Sequence, residues 1–107
     1  ADGIRMEGLK ILAKHRIAEG IPACVNYARQ QNPWSSQKRT PELMEILLSY
    51  GVHAQAAIPE LTKLAEYFAK DEKDFPAELM AMKAKCVRET ITAIEASTDR
   101  PELLRMK

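Results

Sequence analysis

The chain contains few residues of the kinds that build disulfide scaffolds or metal sites. Only two cysteines, Cys24 and Cys86, occur in 107 residues. They are too few for a disulfide framework and too far apart for a zinc site of the C-x-x-C kind. We expect two free, structural thiols, the alternatives being a single bridge or a reactive thiol. His15 and His53 have no second ligand at metal-binding spacing, so we predict neither a metal site nor a catalytic histidine.

Sequence motifs for nucleotide binding and acyl transfer are also missing. The four glycines form no phosphate-cradling loop, and Ser35 and Ser36 lack the G-x-S-x-G turn of a serine nucleophile. We therefore expect no catalytic residues, no cofactor and no small-molecule substrate, which favours a non-enzymatic protein.

The chain has neither an excess of one charge nor a long apolar run. Sixteen Lys and Arg against fifteen Asp and Glu leave a net charge of +1, which provides no general attraction for nucleic acid. No apolar stretch approaches the roughly 20 residues of a membrane-spanning helix, so we expect a soluble protein of unknown compartment. The composition, 46% hydrophobic and 29% charged, is typical of one globular domain over residues 1–107. The first residue is not methionine, and we expect a fragment of a larger protein.

Apolar residues recur at helical spacing through most of the chain, which predicts an all-α fold. One face of the first helix carries Met6, Leu9, Leu12 and Ala13. Ile4 and Ile11 lie on another side, and a helix that is apolar on two sides is usually covered on two sides. We expect a preceding repeat or a partner to provide that cover, the alternative being a somewhat apolar end helix.

An internal repeat of 37 residues joins the first two thirds of the chain. Ile21-Pro22 recurs as Ile58-Pro59, and the same offset places apolar residues on apolar residues. The matched pairs are Met6 and Leu43, Leu9 and Ile46, Tyr27 and Leu64, and Ala28 and Ala65. A period in the thirties with two helices per unit is typical of helical-hairpin solenoids. We predict units at about 4–31 and 40–70.

The stretch 50–61 is expected to join the two helices of the second unit. Gly51 can adopt the left-handed conformation that ends a helix, and Pro59 fits the first turn of the next helix. The alanines between them predict a tight antiparallel hairpin. At the start of the unit, Thr40 is predicted to cap the first helix, with Pro41 at its first position.

The longest predicted helix covers about 76–97. Its inner seam consists of Met80, Ala84, Val87, Ile91 and Ile94, and a second flank consists of Leu79, Cys86 and Ala93. Two apolar stripes indicate that this helix packs across the preceding hairpin and also contacts a further element. We expect that element to be a short closing helix over 100–105.

The stretch from Tyr50-Gly51 through Ala57-Ile58-Pro59-Glu60-Leu61 resembles the hairpin of a HEAT-type, armadillo-like helical repeat. Leu9 to Ala13 and Gly20-Ile21-Pro22 resemble the unit before it. The 76–97 helix lacks the central turn and the Ile-Pro pair, so it is either a third repeat or a cap. The resemblance implies antiparallel helical hairpins stacked as a short α-solenoid, which serves as a scaffold or binding surface and carries no catalytic residues.

Two surfaces are candidates for binding. The predicted protein contacts are Trp34, Glu60, Lys63, Glu66 and Tyr67, with Trp34 either anchoring a partner or packing on the first hairpin. The predicted anion contacts are Lys10, Lys14, Arg16, Lys38 and Arg39, the alternative being a solvated charged face. We therefore expect a helical-repeat scaffold or protein-interaction module whose partner is another protein or the remainder of a larger chain. The alternatives are an accessory segment of a larger enzyme and, less favoured, a phosphate-binding or nucleic-acid-binding repeat.

Overall fold

The computed structural model describes residues 2–30, 38–70 and 77–104, with side chains from Met6 onward. In order, the elements are α1 (Asp2–Lys14), α2 (Gly20–Arg29), α3 (Arg39–Leu48), a 3₁₀ helix, η1 (Gly51–Ala57), α4 (Ile58–Ala69) and α5 (Ala77–Glu95). The predicted all-α class and the long C-terminal helix are confirmed. Within these ranges the only extended pairing is an isolated parallel bridge between Ile17 and Leu104. None of the helices described combines the length and apolar character needed to cross a bilayer.

The starts of two helices lie at nearly the spacing that the sequence predicts. α2 and α4 begin 38 residues apart (58 minus 20). α1 packs on α3, α2 packs on α1, α3 and α4, and α5 packs on α3 and α4. Neither α1 nor α2 contacts α5, so α5 lies at one end of the stack and the α1–α2 pair at the other. Continuation of this stack as a solenoid remains a prediction.

One hydrophobic core runs between the helices. Apolar residues at helical spacing on α2 and α4 are buried: Ile21, Cys24, Tyr27, Ala28, Leu61, Leu64, Ala65 and Phe68. On α1, Met6, Leu9 and Ala13 are buried and Leu12 is half-buried, whereas Ile11 is 56% exposed. The smallest dimension of the molecule is 19 Å, which corresponds to two layers of helices about 10 Å thick each.

The tight hairpin predicted between α3 and α4 is wrong in its geometry. Seven residues form a 3₁₀ helix there, and no Cα atom of α3 lies within 8 Å of one in α4. Gly51, Ala54 and Ala57 are buried at intervals of three residues, the period of a 3₁₀ helix. The small residues therefore line one buried face instead of closing a turn. The left-handed conformation of Gly51 (φ 60°) and Pro59 in the first turn of α4 are confirmed.

Thr40 does not cap α3. The helix begins at Arg39, two residues before the predicted start at Pro41, and no side chain caps it. Thr40 thus lies within the first turn, where its side chain is fully buried and its hydroxyl has no hydrogen-bond partner. Pro41 consequently occupies the third helical position, not the first.

The seam of α5 contains two residues that hydrophobic periodicity missed. Met80, Ala84, Val87 and Ile94 are buried as predicted, and Ile91 is half-buried. Lys83 and Thr90 are buried as well. The Lys83 Nζ lies 5.6 Å from the centroid of the Phe68 ring, and burial lowers the pKa of this ammonium group. The Thr90 hydroxyl donates to the Cys86 carbonyl at 2.8 Å.

The predicted closing helix over 100–105 is wrong for the residues described. Residues 99–104, which we call the strap, have no helical structure. The strap instead crosses the end of the bundle and hydrogen-bonds to the α1–α2 turn and to η1. Six residues are too few for a stable isolated helix, and the main-chain partners offered by the two turns replace helical hydrogen bonds.

Candidate functional site

Both cysteines described are free, as predicted. Cys24 is buried, donates to the Leu43 carbonyl at 3.3 Å, and burial raises the pKa of its thiol to about 12. Cys86 is half-buried, and its pKa is raised by burial and by the nearby carboxylates of Glu89 and Glu45. Because the thiolate is the nucleophilic form, these environments oppose reactivity.

The two histidines lie apart and in different settings. His15 is exposed just after α1, whereas His53 is half-buried in η1, with Nε2 2.6 Å from the carbonyl oxygen of Pro101. Among the residues described, no three His, Cys, Asp or Glu side chains come together in a way that could hold a metal ion. His53 therefore serves the attachment of the strap.

The predicted protein-contact surface on α4 is exposed and consists mainly of charges. The Glu60 carboxylate lies 3.5 Å from both Lys63 and Arg29. These side chains are 43–69% exposed, and ion pairs of this kind contribute about 0–1 kcal/mol. Glu66 is also exposed, while Tyr67 is half-buried with its ring 5.7 Å from that of Phe68. Trp34 lies outside the described residues.

The structure brings together three of the five predicted anion contacts. Lys10, Lys14 and Arg16 line an open groove of about 620 Å³ between α1 and α3. Glu42 and Glu45 line the same groove, and Lys10 lies 3.9 Å from Glu42. The groove therefore carries both signs of charge, which weakens its attraction for a phosphate.

The two remaining cations, Lys38 and Arg39, do not line that groove. Lys38 is exposed just before α3. Arg39 Nη1 donates to the Tyr27 hydroxyl at 3.1 Å, which ties the start of α3 to α2. The anion site remains a prediction, with its five residues divided between two places.

A surface lined by uncharged residues lies at the α1–α2 end of the stack. A groove of about 320 Å³, which we call the end-face groove, runs between these helices. Its lining residues are Gly8, Leu9, Leu12, Ala23, Asn26, Tyr27 and Gln30. None of these side chains carries a charge at neutral pH. A Cβ at Gly8 would have no atom within 4 Å. The groove is therefore open at this glycine, which leaves room for another helix to pack closely.

The 37-residue offset shows which residues of the second unit correspond to those that line the end-face groove. Moved forward by 37 residues, Gly8, Leu9 and Leu12 become Glu45, Ile46 and Ser49, which line the groove between α3 and α1.

The same shift turns Ala23 of α2 into Glu60 of α4. Glu60 pairs with Arg29 of α2 and lines a further groove against the first turns of that helix. Four of the seven end-face positions therefore correspond to residues that stack the second unit on the first.

Sequence reasoning detected the excess apolar side of α1 but not the groove. Ile11 lies three residues after Gly8 and one before Leu12, so these three share a helix face. The sequence did contain one indication of the groove. Gly8 and Ala23 are small, whereas the residues 37 positions later are Glu45 and Glu60. Small residues carry little weight in a hydrophobic pattern, and the groove depends on how α1 and α2 cross.

Comparisons with known proteins identify no relative. No protein-family model, no curated protein and no solved structure matches the chain. The class that the fold defines, over the residues described, is an all-α bundle.

Proposed function

We propose that the chain is a non-enzymatic helical-repeat module that binds another helical hairpin on its α1–α2 end face. The observation that carries this proposal is the uncharged end-face groove, which occupies the repeat positions used for stacking elsewhere in the molecule. The opposite end of the stack is covered by α5. The partner is either another protein or the remainder of a larger chain.

The chemistry of the two stacking surfaces differs in a way that favours binding at the end face. Between the units, Glu45 and Glu60 face lysine and arginine side chains across partly solvated grooves. At the end face the equivalent positions are Gly8 and Ala23, which leave apolar surface and no charge to desolvate. Burial of apolar surface contributes about 25 cal/mol per Å², whereas exposed ion pairs contribute little. Ile11, 56% exposed, extends the apolar area.

A tandem chain tests this proposal directly. Residues 2–38 are duplicated in frame ahead of Asp2, which preserves the 37-residue period and offers the end face a helical pair with the stacking surface of α1 and α2. Stacked repeats unfold together when their interface is favourable. We expect a single urea transition with a larger free energy of unfolding and a larger m-value than the parent chain.

Matched variants locate the contact within the tandem chain. Gly8→Lys in the original copy should abolish the gain in stability, because Gly8 lines the end-face groove and its equivalent, Glu45, shares a groove with Lys10 and Lys14 of α1, so an ammonium there meets charges of the same sign. Met82→Asp, at a residue of α5 that is 37% exposed, should retain the gain. Separate unfolding of the added unit, or a gain unaffected by Gly8→Lys, would reject the proposal.

The same chain separates the end face from the surface predicted on α4. Glu60→Ala and Lys63→Ala should leave the added stability unchanged, because these residues belong to the original second unit. A loss with these variants that matches the loss with Gly8→Lys would favour the α4 surface as the contact.

A further inference from the structure

The strap attaches to the α1–α2 turn through its main chain. The Leu104 N–H donates to the Arg16 carbonyl at 2.7 Å, and the Ala18 N–H donates to the Leu104 carbonyl at 2.6 Å. Ile17 and Leu104 thereby form a parallel β-bridge. Arg16 has a left-handed backbone conformation (φ 54°), an uncommon state for a residue with a side chain.

At its other end the strap attaches to η1 in the same manner. The Val52 N–H donates to the Asp99 carbonyl at 2.8 Å, and His53 Nε2 lies 2.6 Å from the Pro101 carbonyl. His53 is the only side chain of the bundle among these contacts. A Cβ at Gly51 would collide with the Asp99 carbonyl, so the glycine allows the strap to approach.

Leu103 and Pro101 are the strap residues described whose side chains are partly buried. Leu103 is half-buried against the core, and Pro101 is half-buried. Asp99, Arg100 and Glu102 are exposed, and Leu104 is 49% exposed. The main-chain hydrogen bonds hold the strap to the bundle, and the partly buried leucine and proline determine which sequence fits. Proteins that bind an extended peptide along an exposed edge use main-chain and side-chain contacts in the same two roles.

We propose that the α1–α2 turn and η1 together form a binding site for an extended segment of another protein, which the strap occupies in the isolated chain. The segment is an extended peptide with leucine two residues after proline. The strap is tethered to α5 and so acts at a high effective concentration, which makes it a competitor that an incoming segment must displace. This site, at residues 16–18 and 51–53, shares no lining residue with the end-face groove, so either proposal can fail while the other holds.

A labelled peptide with the sequence of residues 98–104 tests the site by fluorescence anisotropy on the full chain. Leu103→Asp in the protein should release the strap and tighten peptide binding at least tenfold. Glu102→Ala, at an exposed strap residue, should bind the peptide as weakly as the unmodified chain does. A peptide with aspartate in place of its penultimate leucine should not bind.

A second pair of variants guards against loss of folding and tests the site itself. Leu104→Pro removes one main-chain donor and leaves Leu103 intact, so it should also expose the site. Adding His53→Ala to the Leu103→Asp protein should weaken peptide binding at least fivefold. The proposal would be overturned if neither strap variant improved peptide binding or if both strap variants unfolded. It would also be overturned if His53→Ala did not weaken peptide binding.

Discussion

The hydroxyl of Tyr50 occupies the space that a side chain at Gly20 would need. Tyr50 is fully buried just after α3, and its hydroxyl donates to the Ile17 carbonyl at 2.8 Å. Gly20 begins α2. One tyrosine thus fixes the end of the second unit's first helix against the turn of the first unit, and a glycine makes the approach possible.

Gly20→Ala should destabilise the fold, because its methyl group overlaps the Tyr50 hydroxyl and overpacking typically costs about 1–3 kcal/mol. Tyr50→Phe should cost about 0.5–1.5 kcal/mol through the loss of one hydrogen bond, because the Ile17 carbonyl still accepts from the Gly20 N–H at 3.0 Å. The double variant should cost less than the sum, because phenylalanine lacks the atom with which the methyl collides. Urea unfolding of all four proteins gives the coupling free energy.

Gly8→Ala provides the matched control in α1. A Cβ there meets nothing within 4 Å, so this variant should be more stable by roughly 0.5–1 kcal/mol from helix propensity alone. Additive costs at Gly20 and Tyr50, with a coupling near zero, would contradict the contact.

Thr40→Val should stabilise the protein by about 1 kcal/mol, because the Thr40 hydroxyl is buried without a hydrogen-bond partner and such burial is unfavourable. The same substitution at Thr90, whose hydroxyl donates to the Cys86 carbonyl, should be neutral or destabilising. Thermal unfolding of the two variants compares the sites. Equal destabilisation by both would mean that the Thr40 hydroxyl is paired.

Alkaline pH should destabilise the fold first through its two cysteines, because the pKa values of both thiols are raised from 9.0. Burial raises the pKa of Cys24 to about 12, so between pH 9 and 12 the unfolded chain has lost a proton from this thiol that the folded chain keeps. Stability contributed by this thiol is therefore complete below pH 9 and is lost as pH rises towards 12. Its slope approaches about 1.4 kcal/mol per pH unit.

Other groups modify this dependence. Tyr50, whose pKa rises from 10.0 to about 12, adds a loss of the same sign above pH 10. Lys83 acts in the opposite direction, because its lowered pKa makes the folded chain release a proton before the unfolded chain does. Cys24→Ala should reduce the slope of unfolding free energy between pH 9 and 10, measured by urea denaturation. An unchanged slope would show that the thiol is solvated in the folded state.

Periodicity in the sequence was sufficient to predict the helices and most of the core, because burying an apolar stripe is what stabilises each helix. It could not predict the burial of Lys83, whose long aliphatic stem packs inside, or that of Thr90, whose hydroxyl bonds to its own helix. Gly51 and the alanines after it predicted a tight turn, whereas the structure has a 3₁₀ helix there. Both structures favour small residues, so the sequence could not distinguish them.

The strap and the end-face groove could not be predicted from the sequence, because both are formed by contacts between residues far apart in the chain. Residues 100–105 contain helix-favouring residues after a proline, and the main-chain partners at Ala18 and Val52 are invisible to a local pattern. Gly8 and Ala23 gain meaning only when the 37-residue offset is combined with the residues that line the grooves. The α4 contact surface and the anion contacts remain predictions.

The most direct test of the end-face proposal is a nuclear Overhauser measurement on the tandem chain, segmentally labelled so that the two copies are distinguished. Stacking predicts contacts between the Leu12 methyl groups of the original copy and the α1 side chains of the added copy, Ala13 among them, since Ser49, the equivalent of Leu12, lines the same natural groove as Ala13. Leu12 methyl resonances unchanged from the parent chain, with no contact between the copies, would contradict it.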